Sequence, residues 1–193
     1  MRKPRARGWF RRVVAEFSVA AARFEDKPFT YVEVGCWAGN SIRWMLDNIM
    51  TNSESRGHGI DPYMLDTKHT QEDVNDKKRK AFDVTKEAYD AGRWTWHYED
   101  SKTVFPKFTD PIDLLYLDGS HHGWDVVIDF AMAWKNLKPG SVVIFDDLSP
   151  AITKIRSTPH VKEAFEAIKI AWGNKIKVLH YGPKQASLEV VSK

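Results

Sequence analysis

Residues 31–41 read Tyr31-Val-Glu-Val-Gly-Cys-Trp-Ala-Gly-Asn-Ser41. An apolar strand ends there with an acid inside it, and a Gly-x-x-x-Gly turn opens a helix, the shape of a nucleotide-binding loop. Gly35 is expected in a backbone conformation closed to residues with a Cβ, and Gly39 to let the chain pass close to a ligand. A helix starting near Asn40 would point free N–H groups at that ligand. The dinucleotide fingerprint Gly-x-Gly-x-x-Gly needs its second glycine where a pyrophosphate approaches, and here Trp37 stands in that place. A nicotinamide-dependent oxidoreductase is therefore the weaker reading.

Outward from this loop the pattern alternates. Residues 8–24 carry Phe10, Val13, Val14 and Phe17 at helical spacing, and strand is expected at 29–34, helix at 41–50 and strand at 57–60. The polar stretch 66–80 lacks a clean period and reads as an excursion over the active face, with helix resuming at 81–91. Strands follow at 94–98, 112–117 and 141–145, with a helix at 124–137 stopped by Lys138-Pro139-Gly140. A helix at 158–172 then leads to a terminal hairpin through Gly182-Pro183. Continuous apolar strands alternating with helices predict an α/β fold built on a parallel sheet buried on both faces.

The 193 residues fit one domain with a core of its own, and 42% hydrophobic with 28% charged residues excludes disordered and fibrous classes. The single Cys36 excludes an intrachain disulfide and a cysteine-built zinc site. No leader pattern and no bilayer-length apolar run is visible, so a cytoplasmic protein without membrane association is expected. The net charge of +3 is uneven: Arg2, Lys3, Arg5, Arg7, Arg11 and Arg12 precede the first acid, and removing those six leaves −3 for residues 13–193. That arm reads first as a solubilising lead-in to the first helix. A phosphate or nucleic-acid contact is the lesser alternative, because the body is acidic and no RNA-module pattern follows. The run Lys77 to Lys80, beside Glu72, Asp73 and Asp76, reads as a solvated helix face.

Four expected strands finish on a carboxylate: Asp61, Asp100, Asp118 and the pair Asp146-Asp147, with Glu33 inside the first. In an open parallel sheet these ends share one edge, where such folds bind ligands. A lone acid there is usually a helix cap or turn former, which does not account for the whole series. Asp61 lies 22 residues beyond Gly39, the place of an acid that accepts both hydroxyls of a ribose. Asp100 with Ser101 suits the exocyclic amine and ring edge of an adenine. Asp118, Asp146 and Asp147 offer hard oxygen donors, which favour Mg²⁺, Ca²⁺ or Mn²⁺ over zinc.

On Val32 to Ser41, Glu99-Asp100-Ser101, and above all Leu117-Asp118-Gly119-Ser120-His121-His122 with Leu137 to Asp147, the chain resembles class I S-adenosylmethionine-dependent methyltransferases of the macrocin O-methyltransferase type. The resemblance covers residues 29–148. It implies a Rossmann-like, doubly wound seven-stranded sheet with an antiparallel C-terminal strand, residues 27–193 forming the methyltransferase domain after the arm and helix of 1–26. It places Glu33, Gly35, Cys36, Trp37, Gly39, Asn40 and Ser41 on the methionine half of the cofactor, Asp61 with Pro62 on the ribose, and Asp100 with Ser101 on the adenine. Asp118 would face the reacting centre, and Asp118, Asp146 and Asp147 match the metal-binding acids of the divalent-metal O-methyltransferases. In the catechol type a catalytic lysine lies three residues past the first metal acid. That offset is filled here by His121, either as general base or as a residue that orients Asp118 or binds cofactor. The implied reaction is methyl transfer to a hydroxyl of a small molecule, sugar or phenol. RNA is a minority acceptor, and a homodimer is compatible with the chain.

Overall fold

The computed structural model describes residues 6–65, 69–149 and 159–193. Seven strands form one sheet: β1 (Thr30–Val34), β2 (Arg56–Ile60), β3 (Trp94–His97), β4 (Ile112–Leu117), β5 (Leu137–Phe145), β6 (Ile176–Tyr181) and β7 (Ala186–Val190). Their order is β3-β2-β1-β4-β5-β7-β6. The first five run parallel and β7 enters antiparallel between β5 and β6. Strand order reverses beside β1, the point at which an open sheet leaves a crevice at its carboxyl edge.

Period-two alternation sorts the strand residues between two cores. Val32, Leu115, Leu117, Val143 and Leu188 face α4 (Ser101–Val104), α5 (Gly123–Ala133) and α6 (Val161–Trp172). Tyr31, Leu114, Tyr116, Val142 and Ile144 face the opposite layer, built from α1 (Val14–Ala21) and α2 (Asn40–Asn48). Residues 9–24 form one interrupted helix, with 3₁₀ turns flanking α1, and its Phe10, Val13 and Phe17 are core residues. Phe17 meets Tyr116 edge-on with ring centroids 4.9 Å apart. Glu16 accepts the backbone N–H groups of Gln185 (2.9 Å) and Lys184 (3.3 Å), tying α1 to the hairpin turn.

Two boundaries depart from the sequence expectation in an instructive way. The helix expected from Ala81 is α3 (Gln71–Asp90), which begins ten residues earlier because Thr70 and Asp73 form a capping box. Its first half buries only Val74, so no period shows there. Asp76 instead pairs with Lys77, Arg79 and Lys80 on the solvent face. Residues 66–68 of the expected excursion lie outside the described residues, as do 150–158. Strand β5 begins at Leu137 rather than Ser141: the Ser141 hydroxyl donates to Ile112 O (2.6 Å) and accepts from Lys138 N (2.9 Å). That carries the strand through Pro139-Gly140 with a register shift opposite Ile112 and Leu114.

On the β2–β3 side the buried His58 sits 3.3 Å from His97 and 3.5 Å from Asp110, with Phe108 edge-on to its ring. Burial, then His97, pushes the His58 pKa down to about 4, and Asp110 only partly offsets them. A depressed base binds its proton more weakly folded than unfolded, so its contribution to stability falls as pH drops from about 6.5 towards 4. The shift corresponds to about 3 kcal/mol. Urea melts of wild type and His58→Leu from pH 7 to pH 4 should diverge by that order, wild type losing more on acidification. Parallel profiles would refute the assignment.

Candidate active site

The strand-end acids meet on one rim because each continues the backbone ladder past its strand. Asp61 N donates to His97 O (3.1 Å), Asp118 N to Val34 O (2.9 Å) and Asp146 N to Leu117 O (3.1 Å). Above this rim opens a cavity of about 650 Å³ lined by Gly35, Trp37, Asp61, Pro62, Asp100, Ser101, Asp118 and His121 among others, a size suited to a small-molecule ligand. A side chamber of about 40 Å³ reaches Cys36, Asn40, Ser41, Asp118 and Asp146.

The glycine loop is held by sterics. Gly35 has φ +86°, and a Cβ there would lie 2.1 Å from Asp118 O. Gly39, at φ +70°, is the N-cap of α2, and its missing side chain makes room for Ala81 of α3 at 3.1 Å, where a ligand contact was expected. Trp37 takes φ +44° and donates its backbone N–H to Asp61 Oδ2 (2.8 Å), while Tyr63 N donates to Asp61 Oδ1 (2.8 Å). Burial raises the Asp61 carboxyl, and these N–H groups counter it.

Glu33 stands behind the loop and off the cavity wall. Fully buried, it accepts 2.5 Å hydrogen bonds from Tyr31 Oη and Ser41 Oγ. Burial pushes it up to about 8, against the pull of those two hydroxyls. Asp100 lies on the wall, but its Oδ1 caps α4 by accepting Lys102 N (2.8 Å). Ser101 Oγ donates to Asp129 Oδ1 (2.5 Å).

Asp118, half-buried, faces both chambers. Its carboxyl is raised by desolvation and then by Asp146, Asp147 and Glu33. Buried Asp146 is pushed to about 6 by desolvation. It accepts Tyr116 Oη (2.6 Å) and Asp147 N (2.9 Å), and Gln185 Nε2 in turn donates to Tyr116 Oη (3.2 Å). Asp147, buried at φ +57°, pairs with His121 Nε2 at 2.7 Å. His121 therefore leans on Asp147 and not on Asp118. Among the described residues no three His, Cys, Asp or Glu side chains stand in metal-holding geometry.

Sequence reasoning missed Trp9, Tyr116, Asp129 and Gln185. Trp9 lines both chambers. Tyr116 was legible in principle, since it stands two residues before Asp118 and so shares its face. Asp129 sits within a helix and Gln185 in a hairpin, where no strand-end pattern marks them.

A family model described as a methyltransferase domain matches residues 32–148. The chain belongs to that methyltransferase family. An uncharacterized protein of Acanthamoeba polyphaga mimivirus is 29% identical over 150 residues, covering 70% of this chain and 62% of that protein. The chain thus spans about three fifths of that relative's length. The same fold occurs in the O-methyltransferase TomG of Streptomyces achromogenes, solved with SAM (TM-score 0.62, 17% identity, 91% of this chain and 77% of that one). It also occurs in a Bacillus cereus O-methyltransferase solved with SAH (0.61, 15%, 98% and 84%) and in MycE of mycinamycin biosynthesis, solved with Mg and SAH (0.64, 16%, 96% and 51%).

In this methyltransferase domain Gly35→Ala should cost about 3 kcal/mol or more in urea unfolding, because both its φ and the Asp118 carbonyl oppose a side chain. Gly39→Ala, facing a softer contact, should cost about 1 to 2 kcal/mol. Equal losses at the two positions would contradict this account.

Proposed function

We propose that this protein transfers the methyl group of S-adenosylmethionine to a hydroxyl oxygen of a small molecule. The observation that carries the reading is the single cavity joining Asp61, Asp100, Ser101, Asp118 and His121, and the SAM- and SAH-bound structures of the same fold support it. Asp61 and Pro62 would hold the ribose, Asp100 and Ser101 the adenine end. Gly35, Cys36, Trp37, Asn40 and Ser41 would surround the methionine half, with Glu33 acting through Ser41 and Gly39 shaping the turn. Asp118 and His121 then face the sulfonium.

The oxygen–methyl bond forms as the methyl–sulfur bond breaks, and the electron pair returns to sulfur, leaving a neutral thioether. The acceptor must lose a proton. With His121 Nε2 donating to Asp147, the ring's lone pair is on Nδ1, the position able to take that proton, so Asp147 serves as the group that orients the base.

Asp118, Asp146 and Asp147 are oxygen donors of the kind a hard dication takes, and a cation would relieve their mutual repulsion, but as they stand they form no metal-holding group, so binding would have to draw them together. These three would hold it, and Mg in MycE supports the idea. Bound, it would lower the pKa of an acceptor hydroxyl.

SAH at 100 times its Kd should stabilise the protein by about 2.7 kcal/mol in a thermal melt, and NAD should not. No shift with SAH would remove the cofactor reading. With labelled S-adenosylmethionine and a panel of sugar and phenol acceptors, His121→Ala should slow transfer about 10²- to 10⁴-fold while SAH affinity stays within twofold. If His121→Ala keeps near-normal turnover at pH 7 while Asp146→Ala abolishes it, the base is elsewhere. Chelation by EDTA should lower the rate and added Mg²⁺ restore it, whereas a rate indifferent to both would discard the metal.

A further inference from the structure

Helix α5 turns Val126, Phe130 and Ala133 into the core, and Asp129 lies on the same buried side at 4% exposure. A carboxylate on the core face of a helix is unfavourable unless something binds it. Ser101 Oγ donates to Oδ1 at 2.5 Å, and no described residue donates to Oδ2. The side chain lines the large cavity beside Asp100, Ser101 and Ile60. Burial, against the pull of Ser101, pushes its pKa up to about 6, and Oδ2 is left as an acceptor without a donor among the described residues, on a side chain that lines the cavity.

The surroundings fix this geometry. One turn earlier on α5, on the same face, Asp125 accepts Lys102 Nζ (2.6 Å) and Ser120 Oγ (2.7 Å). Two adjacent pairs, Ser101 with Asp129 and Lys102 with Asp125, thus clasp α5 to the start of α4. Asp100, the acid expected to read the adenine amine, likewise has one oxygen committed, to Lys102 N, but it is only half-buried, so water can serve it where it cannot serve Asp129.

Resting on the S-adenosylmethionine reading, we propose that Asp129 recognises the adenine of the cofactor, its Oδ2 accepting a hydrogen bond from the exocyclic amine while Ser101 holds Oδ1. A 6-oxo purine would oppose its carbonyl oxygen to that carboxylate, so the pocket would select adenosine over inosine compounds.

Calorimetric titration with SAH and with S-inosylhomocysteine tests this without an acceptor. Wild type should prefer SAH by about 100-fold or more, as sites built around a substrate's polar group do. Asp129→Asn, of equal size, should weaken SAH about 10- to 100-fold, the range for losing a charge-assisted hydrogen bond, and leave the inosine compound unchanged or tighter. Ser101→Ala should narrow the preference by a smaller factor. If wild type binds SAH, yet Asp129→Asn keeps its affinity within twofold or weakens both compounds equally, the proposal is overturned while the cofactor reading stands. If wild type binds neither compound, the cofactor reading itself fails.

Discussion

Carboxylates gathered in a poorly hydrated corner repel one another, and this end of the sheet gathers four: Glu33 behind the glycine loop, and Asp118, Asp146 and Asp147 past the strand ends. At low effective dielectric such charges cannot all persist, so each must find a donor, a proton or a cation. The surrounding structure supplies donors in turn. Tyr31 and Ser41 serve Glu33, Tyr116 and the Asp147 amide serve Asp146, and His121 serves Asp147. Asp118, facing both chambers, is raised by desolvation and its acidic neighbours against the pull of Tyr116.

This constraint reaches both ends of the chain. Gln185, from the C-terminal hairpin, donates to Tyr116, and Glu16 of α1 grips the backbone of Gln185 and Lys184. The N-terminal helix and the hairpin, remote in sequence, are thereby joined through Tyr116 to Asp146. Pre-organised donors of this kind hold a site in one geometry at the cost of backbone strain, visible here in the positive φ of Trp37 and Asp147.

Much of the fold was legible because the signal is local. Thr30 to Val34 and Ile112 to Leu117 are runs with near-complete burial, and continuous apolar runs mark strands buried on both faces. The first half of α3 escaped because a helix packing through Val74 alone shows no period, its stability coming from capping and surface ion pairs. The early start of β5 escaped because Pro139-Gly140 reads as a stop. Only the pairing through Ser141 to Ile112 keeps the chain extended.

For the site the division follows range. The amino-acid order alone placed an acid at the end of each central strand and a glycine turn after the first, and parallel topology then required those acids to share an edge. It could not assign their partners, because a hydrogen bond between side chains 28 to 69 residues apart, as in Ser101 with Asp129 or Gln185 with Tyr116, leaves no periodic trace. Tertiary packing alone decided that Glu33 turns inward to Ser41, that His121 leans on Asp147, and that a helical acid, Asp129, joins the cavity wall. Alternation and capping act between neighbours in the chain, whereas the partner of a buried charge is chosen by whatever the fold brings within about 3 Å of it.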